Sequence, residues 1–67
     1  MSIYILTICE PEAVISEVKM FANPFDFFEY TKVNFDVVEE DFNGVYGDEV
    51  RNAFVNGRHF RFNSFVL

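Results

Sequence analysis

The 67-residue sequence has one cysteine, one histidine and no long apolar segment. With Cys9 as the only cysteine, a disulfide scaffold is excluded, and Cys9 with His59 supplies too few ligands for a structural zinc site. No stretch approaches the about 18 uninterrupted apolar residues of a membrane-spanning helix. The chain has no basic segment before its first acid, Glu10, so no signal peptide is expected. We therefore expect one compact domain over residues 1–67, located in the cytoplasm, with no cofactor and no membrane partner.

Basic residues are also scarce. Five Lys and Arg stand against 11 Asp and Glu, which gives a net charge of −6. Residues 1–50 carry all the acids and only two lysines, whereas residues 51–67 carry three arginines and no acid. A negative body of this kind repels nucleic acid and attracts basic patches on other proteins, including patches that bind phosphate. Solubility alone is the alternative explanation of the acids.

Aromatic residues are abundant, with ten Phe and three Tyr. In a chain below about 70 residues the core seldom supplies more than ~3–5 kcal/mol, so these rings must carry much of the burial. So small a domain cannot cover all of them. Exposed aromatic area is typical of a partner surface or of a homo-oligomer interface, and a homodimer is the plainer alternative.

The first part of the chain predicts two strands. Ile3–Ile8 is β-branched and aromatic and predicts a central strand, and Glu10–Glu12 predicts the turn that ends it. Val14–Phe21 fits either a helical stripe or a loose alternation. We favour a strand paired with the first one, because a helix here would leave no room for a turn before the helix start at Asn23–Pro24.

A helix is predicted over 24–33, with Asn23 as its N-cap and Pro24 at its first position. Asp26 in the first turn and Lys32 in the last turn suit the helix dipole. At helical spacing, Phe25, Phe28 and either Lys32 or Val33 share one face.

The pattern beyond the helix predicts two more strands. Phe35–Phe42 alternates loosely and predicts a strand that runs into an acidic end, followed by a loop over 43–47. Arg58–Val66 predicts the final strand, and the parity break at Phe65 predicts a bulge near Asn63–Ser64.

The segment between the loop and the last strand has two interpretations. Asn56–Gly57 is a type I′ hairpin signal, which would make the preceding residues a strand. Val50, Ala53 and Phe54 instead give a helical face, with Asp48 as N-cap and Gly57 as the left-handed C-terminal residue. We favour a short helix over about 48–56.

The predicted order is therefore β-β-α-β-α-β. This order gives an α+β fold, a small two-layer sandwich with a mostly antiparallel or mixed sheet and helices on one face. The other face of the sheet is then open. It is expected to carry His59, Arg61 and Asn63 and part of Tyr4, Leu6 and Ile8.

Catalysis and metal binding are both disfavoured. The three serines, Ser2, Ser16 and Ser64, stand in no triad spacing, and so small a domain has little volume for a cleft. Cys9 and His59 could pair as nucleophile and base, but a cysteine at a strand end is more typical of a small buried hydrophobe. The acids at 39–41 and 48–49 lack the spacing of a calcium loop, so we expect a solvated acidic edge and no metal.

Single-stranded nucleic-acid binding is the second alternative function. Basic and aromatic residues interleave at Arg58, His59, Phe60 and Arg61, as on sheets that bind RNA. The spacing after Gly57 does not match the RNP1 pattern, and the acidic body opposes a polyanion. The plainer interpretation is that Phe60 and Phe62 are core residues and that the arginines pair with nearby acids.

The leading candidate site is an acidic surface around an aromatic ring. It comprises Glu39, Glu40, Asp41, Asp48 and Glu49, with Tyr46 as the anchor. Carboxylates steer association with a basic protein surface, and a desolvated ring supplies the hot spot. If the acids were spaced like phosphates, the protein would act as a nucleic-acid mimic.

Size, acidity and the lack of a catalytic constellation make the chain similar in kind to small regulators encoded by phages or mobile elements. That resemblance implies a non-enzymatic protein-binding inhibitor or modulator of a host factor or defence complex, acting in the host cytoplasm. Its expected partner is a basic surface of another protein, for example a nucleic-acid-binding site.

Overall fold

The computed structural model describes residues 1–12, 14–44 and 49–67 and shows an α+β fold. Its elements are β1 (Ser2–Cys9), β2 (Ile15–Phe21), α1 (Pro24–Phe35), a 3-10 turn η1 (Glu39–Asp41), β3 (Val50–Val55) and β4 (Arg58–Val66). The four strands form one antiparallel sheet in the order β2-β1-β4-β3. The α+β class is confirmed. In the described part of the chain, however, one α-helix stands where two were predicted.

The predictions for the first half of the chain are confirmed. β1 lies inside the sheet, and β2 pairs with it in an antiparallel register that sets Tyr4 opposite Phe21. The helix begins at Pro24, and the Asn23 side chain accepts a hydrogen bond from the Asp26 backbone N–H at 2.8 Å. Asn23 therefore satisfies one of the free N–H groups of the first turn, as the N-cap signal predicts.

The predicted strand over Phe35–Phe42 is wrong. The helix continues through Phe35, and Asp36 ends it in the left-handed conformation with φ 58°. Val37 is then buried in the core. Its backbone N–H donates to the Thr31 carbonyl, and the Thr31 hydroxyl donates to the Val37 carbonyl. These bonds to the helix replace a strand ladder, so the alternation of apolar residues reflects burial against α1 rather than pairing in the sheet.

The helix predicted over 48–56 is also wrong. Residues Val50–Val55 form β3, and Asn56 and Gly57 join it to β4 with φ values of 54° and 78°. Positive φ at both central residues is the type I′ geometry that Asn-Gly favours. Pairing with β4 therefore outweighs the local helical pattern, and Ala53 alone of the supposed helical face is buried. Asp48, the expected N-cap, lies outside the described residues.

The bulge predicted near Asn63–Ser64 is wrong as well. The register between β1 and β4 runs without a shift from Ser2 opposite Val66 to Cys9 opposite His59. The irregularity lies instead at Ile8 and Cys9, where β1 faces β2. Phe65 lies on the open face of the sheet, whereas Phe60 and Phe62 lie on the face that packs against the helix.

The open face of the sheet differs in part from the prediction. His59, Arg61 and Asn63 lie on it, as expected from their parity in β4. Leu6 and Ile8 do not, because they pair with Phe62 and Phe60 on the helix side and are buried, and Tyr4 shares their parity. The open face instead carries the alternate β1 residues, together with exposed Val18, Met20, Val50, Phe54 and Phe65.

The core is an aromatic cluster between α1 and the sheet. The Phe27 ring is fully buried and meets Phe21, Phe28, Phe42 and Phe62 edge-on, with ring centroids 4.9–5.9 Å apart. Edge-to-face contacts at these distances add to the burial of apolar area. Phe27 and Thr31 are the residues that α1 buries. The opposite flank of the helix, which carries Phe25, therefore remains available at the surface.

Substitutions at Gly57 test the assignment of residues 56–57 as a type I′ hairpin turn. A methyl group added at Gly57 would meet the Pro11 side chain at an ordinary 3.7 Å, so the cost of Gly57→Ala comes from the backbone at φ 78°. We expect the free energy of unfolding to fall by about 1 kcal/mol, measured by urea denaturation. Gly57→Asn should lose less, because asparagine tolerates this conformation. Equal stability of the Ala variant and the native protein would refute the assignment.

Tyr30 attaches α1 to β2 through a polar contact. Its hydroxyl donates a hydrogen bond to the Glu17 carboxylate, and the Lys19 ammonium lies 4.6 Å from its ring centroid. The hydrogen bond to Glu17, the burial of the hydroxyl and the Glu17 charge, in that order, raise the pKa of Tyr30 above its ordinary value. Each of these effects favours the protonated phenol in the folded state.

The pKa of Tyr30 gives a pH prediction. The protonated Tyr30 phenol stabilises the folded state fully when the pH is below the ordinary tyrosine pKa. This stabilisation is lost as the pH rises through the raised pKa of Tyr30. A titration of tyrosinate absorbance should therefore show a late-ionising group that Tyr30→Phe removes and that Glu17→Gln shifts to lower pH. At neutral pH, Tyr30→Phe should lower the free energy of unfolding by about 1 kcal/mol. A late-ionising group that persists in Tyr30→Phe would contradict this assignment.

Candidate protein-binding groove

An open groove of about 620 Å³ lies between α1 and η1. One wall is the outer flank of the helix, and the other is the chain that leads into the 3-10 turn. Its lining combines apolar side chains with acids and one lysine: Pro24, Phe25, Phe28, Glu29, Lys32, Val38, Glu39 and Glu40.

The helix supplies the apolar part of the groove. Phe25, Phe28 and Lys32 stand three and four residues apart, so they share the flank of α1 that faces η1. Phe28 is half-buried and stacks on Phe62 with ring centroids 5.5 Å apart and planes at 10°. Phe25 is 76% exposed. The groove thus has a fixed aromatic base and a second ring that is open to solvent.

The 3-10 turn fixes the directions of three consecutive acids. The Asp41 carboxylate accepts from the Val38 backbone N–H at 3.0 Å, and the Phe42 N–H donates to the Glu39 carbonyl at 3.0 Å. Asp41 and Glu40 are both exposed, but Asp41 also caps its own turn, whereas Glu40 has no such role. A tight turn spreads neighbouring side chains around its axis, so the three carboxylates do not form one row.

Arg51 on β3 fixes η1 beside the sheet. It is only 7% exposed, and its guanidinium donates to the Glu39 carboxylate at 3.3 Å and to the carbonyls of Glu39 and Phe42 at 3.3 and 3.2 Å. The same guanidinium lies 5.9 Å from the Phe28 ring centroid. One buried cation thus joins both walls of the groove to the sheet, and Glu39 is its ion-pair partner.

The charged residues that line the groove are mostly acidic. Glu29, Glu39 and Glu40 stand against Lys32 in its lining, and Glu39 is already paired with Arg51. Glu29 and Glu40 are exposed and form no ion pair within the described residues. A basic group that enters between them would exchange water for two carboxylates beside an apolar ring, which suits an Arg or Lys side chain.

The structure brings together only part of the predicted acidic site. Glu39 and Glu40 line the groove, Asp41 caps η1, and Glu49 is exposed beside the start of β3 without lining the groove. Tyr46 and Asp48 lie outside the described residues. Sequence reasoning missed the helix contribution, namely Pro24, Phe25, Phe28, Glu29, Lys32 and Val38. The shared helical face of Phe25, Phe28 and Lys32 was the available signal.

The alternative nucleic-acid residues are divided between the two faces of the sheet. Phe60 is buried in the core, and Arg58 pairs with Glu10 at 3.1 Å. His59 stacks on Phe54 with centroids 4.5 Å apart, and Arg61 is exposed on that same open face. Phe60 therefore presents no stacking surface, and the expectation that both phenylalanines are core residues is confirmed.

Cys9 and His59 lie directly opposite each other across β1 and β4. The His59 ring is held by Asn52, with Nε2 2.7 Å from the amide oxygen, and by its stacking on Phe54. No hydrogen bond joins Cys9 to His59 in the described structure, and their row lies on the open sheet face outside the groove.

The chain was compared with models of protein families, with curated proteins and with solved structures, and it matches none of them. Within residues 1–12, 14–44 and 49–67, no helix is long and apolar enough to cross a membrane. Over the same residues, no three His, Cys, Asp or Glu side chains converge as a metal site would require. The groove is therefore interpreted from its own chemistry.

Arg51 and Arg58 form a matched pair for testing what holds the groove together. Arg51→Met removes the Arg51 donor to the buried Phe42 carbonyl and the ion-pair partner of Glu39, so we expect a loss of about 2 kcal/mol in the free energy of unfolding. Arg58→Met removes a solvent-exposed ion pair and should cost less than about 1 kcal/mol. Urea denaturation compares the two variants. Similar losses would show that Arg51 does not hold η1 as described.

Proposed function

We propose that this protein is a non-enzymatic inhibitor or modulator that binds another protein through the groove between α1 and η1. The observation that carries the proposal is the Phe25 ring, exposed over most of its surface in a groove with acidic sides. The partner segment that binds in the groove is basic and includes an apolar or aromatic side chain. We propose the cytoplasm as the compartment, since the lone Cys9 needs no oxidising environment.

The energetic argument rests on the combination of ring and charge. Burying an exposed phenylalanine against a partner side chain removes a large apolar area from water, which is typical of interface hot spots. The carboxylates of Glu29 and Glu40 attract a basic surface before contact and so raise the association rate. Lys32 adds selectivity, because a fully basic segment would meet one unfavourable charge in the groove.

Inhibition would follow from occlusion of a basic site on the partner. A site that normally holds phosphate groups would be blocked by a negative surface with an apolar anchor. Glu39 and Asp41 already have partners within the chain, Glu39 with Arg51 and Asp41 with the Val38 N–H. Any mimicry of nucleic acid therefore depends on Glu29 and Glu40 rather than on the row 39–41.

Two matched pairs of variants test the groove. Phe25→Ser removes the exposed ring, with Phe54→Ser as control, because Phe54 is 71% exposed on the open sheet face. Glu40→Lys reverses a groove charge, with Glu12→Lys in the β1–β2 turn as control. Each protein serves as bait for capture from a cell lysate, and binding of the captured partner is then measured at low and high salt.

We expect Phe25→Ser to weaken binding by about 2 kcal/mol, or roughly thirtyfold, mainly through faster dissociation. Glu40→Lys should slow association at low salt and flatten its salt dependence. The control variants should bind like the native protein. If the partner binds each groove variant as tightly as its control variant, the interface lies outside the groove. Turnover of a small substrate would refute the non-enzymatic assignment.

A further inference from the structure

The outer edge of β2 is an unpaired edge of the sheet. In the described part of the chain β2 ends the strand order, so backbone N–H and C=O groups along its outer side have no strand partner. Such an edge is a template for a strand of another chain. The opposite edge is partly covered, because Asn43 pairs with Asn52 on β3 with an N···O distance of 2.6 Å. β2 is therefore the freer edge for association.

The charges on β2 are self-complementary in one register. Glu17 and Lys19 flank Val18 and lie on the helix side of the sheet, opposite Ile8 and Leu6 of β1. If a second copy pairs antiparallel about Val18, Glu17 of each copy stands opposite Lys19 of the other. Directly opposed unlike charges stabilise an antiparallel pair.

The neighbouring registers are disfavoured. If the two strands pair about residue 17, Glu17 stands opposite Glu17, and if they pair about residue 19, Lys19 stands opposite Lys19. Like charges directly opposed are destabilising. A register centred midway between two residues would set a residue from the helix side of one sheet opposite a residue from the open face of the other. The charges thus select the register centred on Val18.

Apolar side chains support the same pairing. On the face opposite the two charges, Val18 is 63% and Met20 is 64% exposed. Val18 would meet its own copy at the two-fold axis, with Met20 close beside it. Val33 is also exposed, and it lies one helical turn beyond Tyr30, the residue that packs over Glu17 and Lys19. Val18 and Met20 are open to solvent in the single chain, and pairing about Val18 would bring the second strand alongside them.

We propose that the β2 edge binds a second copy of this chain. Two copies pair antiparallel about Val18 and extend the sheet to eight strands, with both helices on the same face. The proposal uses no residue of the groove and is independent of the function proposed for it.

A reciprocal charge exchange tests this interface. Glu17→Lys alone and Lys19→Glu alone each replace two attractive cross-strand pairs by two repulsive ones, and each should weaken dimerisation about tenfold. The double variant Glu17→Lys/Lys19→Glu restores opposite charges and should associate within about twofold of the native protein. An equimolar mixture of the two single variants should form mixed dimers. Sedimentation equilibrium across the micromolar range measures all four cases.

Control variants separate this edge from other causes. Tyr30→Phe removes the hydrogen bond to Glu17 without changing the charge and should remain dimeric. Circular dichroism verifies that each variant is folded, and the mixture keeps the test valid if one variant is less stable. A native protein that stays monomeric throughout the range overturns the proposal. A dimer that resists both single charge reversals but is lost in Phe54→Lys also overturns it, because it would assign the interface to the open sheet face.

Discussion

The Phe27 ring is the contact on which the arrangement of this protein depends. It is fully buried between α1 and the sheet and touches rings from β2, from α1 itself, from β4 and from the chain after η1. A chain of 67 residues has room for only one such cluster. Because Phe27 and Thr31 take the inner side of the helix, Phe28 packs at the margin of the core and Phe25 faces outward. The burial of one ring thus determines which other ring can be offered to a partner.

Arg51 connects this core to the candidate site. Its guanidinium lies beneath η1, where two backbone carbonyls and one carboxylate accept its hydrogen bonds. A buried cation needs such partners, and here one of them, Glu39, also lines the groove. Stability and binding geometry are therefore coupled through β3. The acids of η1 also divide by role, since Glu39 pairs with Arg51 and Asp41 caps the turn, while Glu40 is exposed and does neither.

The surfaces of the protein differ in chemistry. The groove is aromatic with acidic sides, whereas the open sheet face carries apolar side chains with His59, Arg61 and Asn63. The β2 edge adds one acid and one base in alternation. A small domain cannot cover thirteen aromatic rings, and Phe25, Phe54 and Phe65 remain at the surface. The distribution of charge is what separates the two proposals, a basic partner for the groove and a second copy for the β2 edge.

Local signals in the sequence determined the first strand pair, the start of the helix and the final strand. The Asn23–Pro24 cap and the β-branched run of β1 act within a few residues, so their structure follows from backbone sterics and short hydrogen bonds. Phe35–Phe42 and 48–56 were misread because their structure depends on distant partners: Val37 bonds to Thr31, and β3 pairs with β4. Of the predicted acidic surface, Glu39 and Glu40 line the groove that the structure shows. Only the tertiary structure set Phe25 and Glu29 beside them, because the groove exists only where Arg51, far along the chain, holds η1 against the sheet.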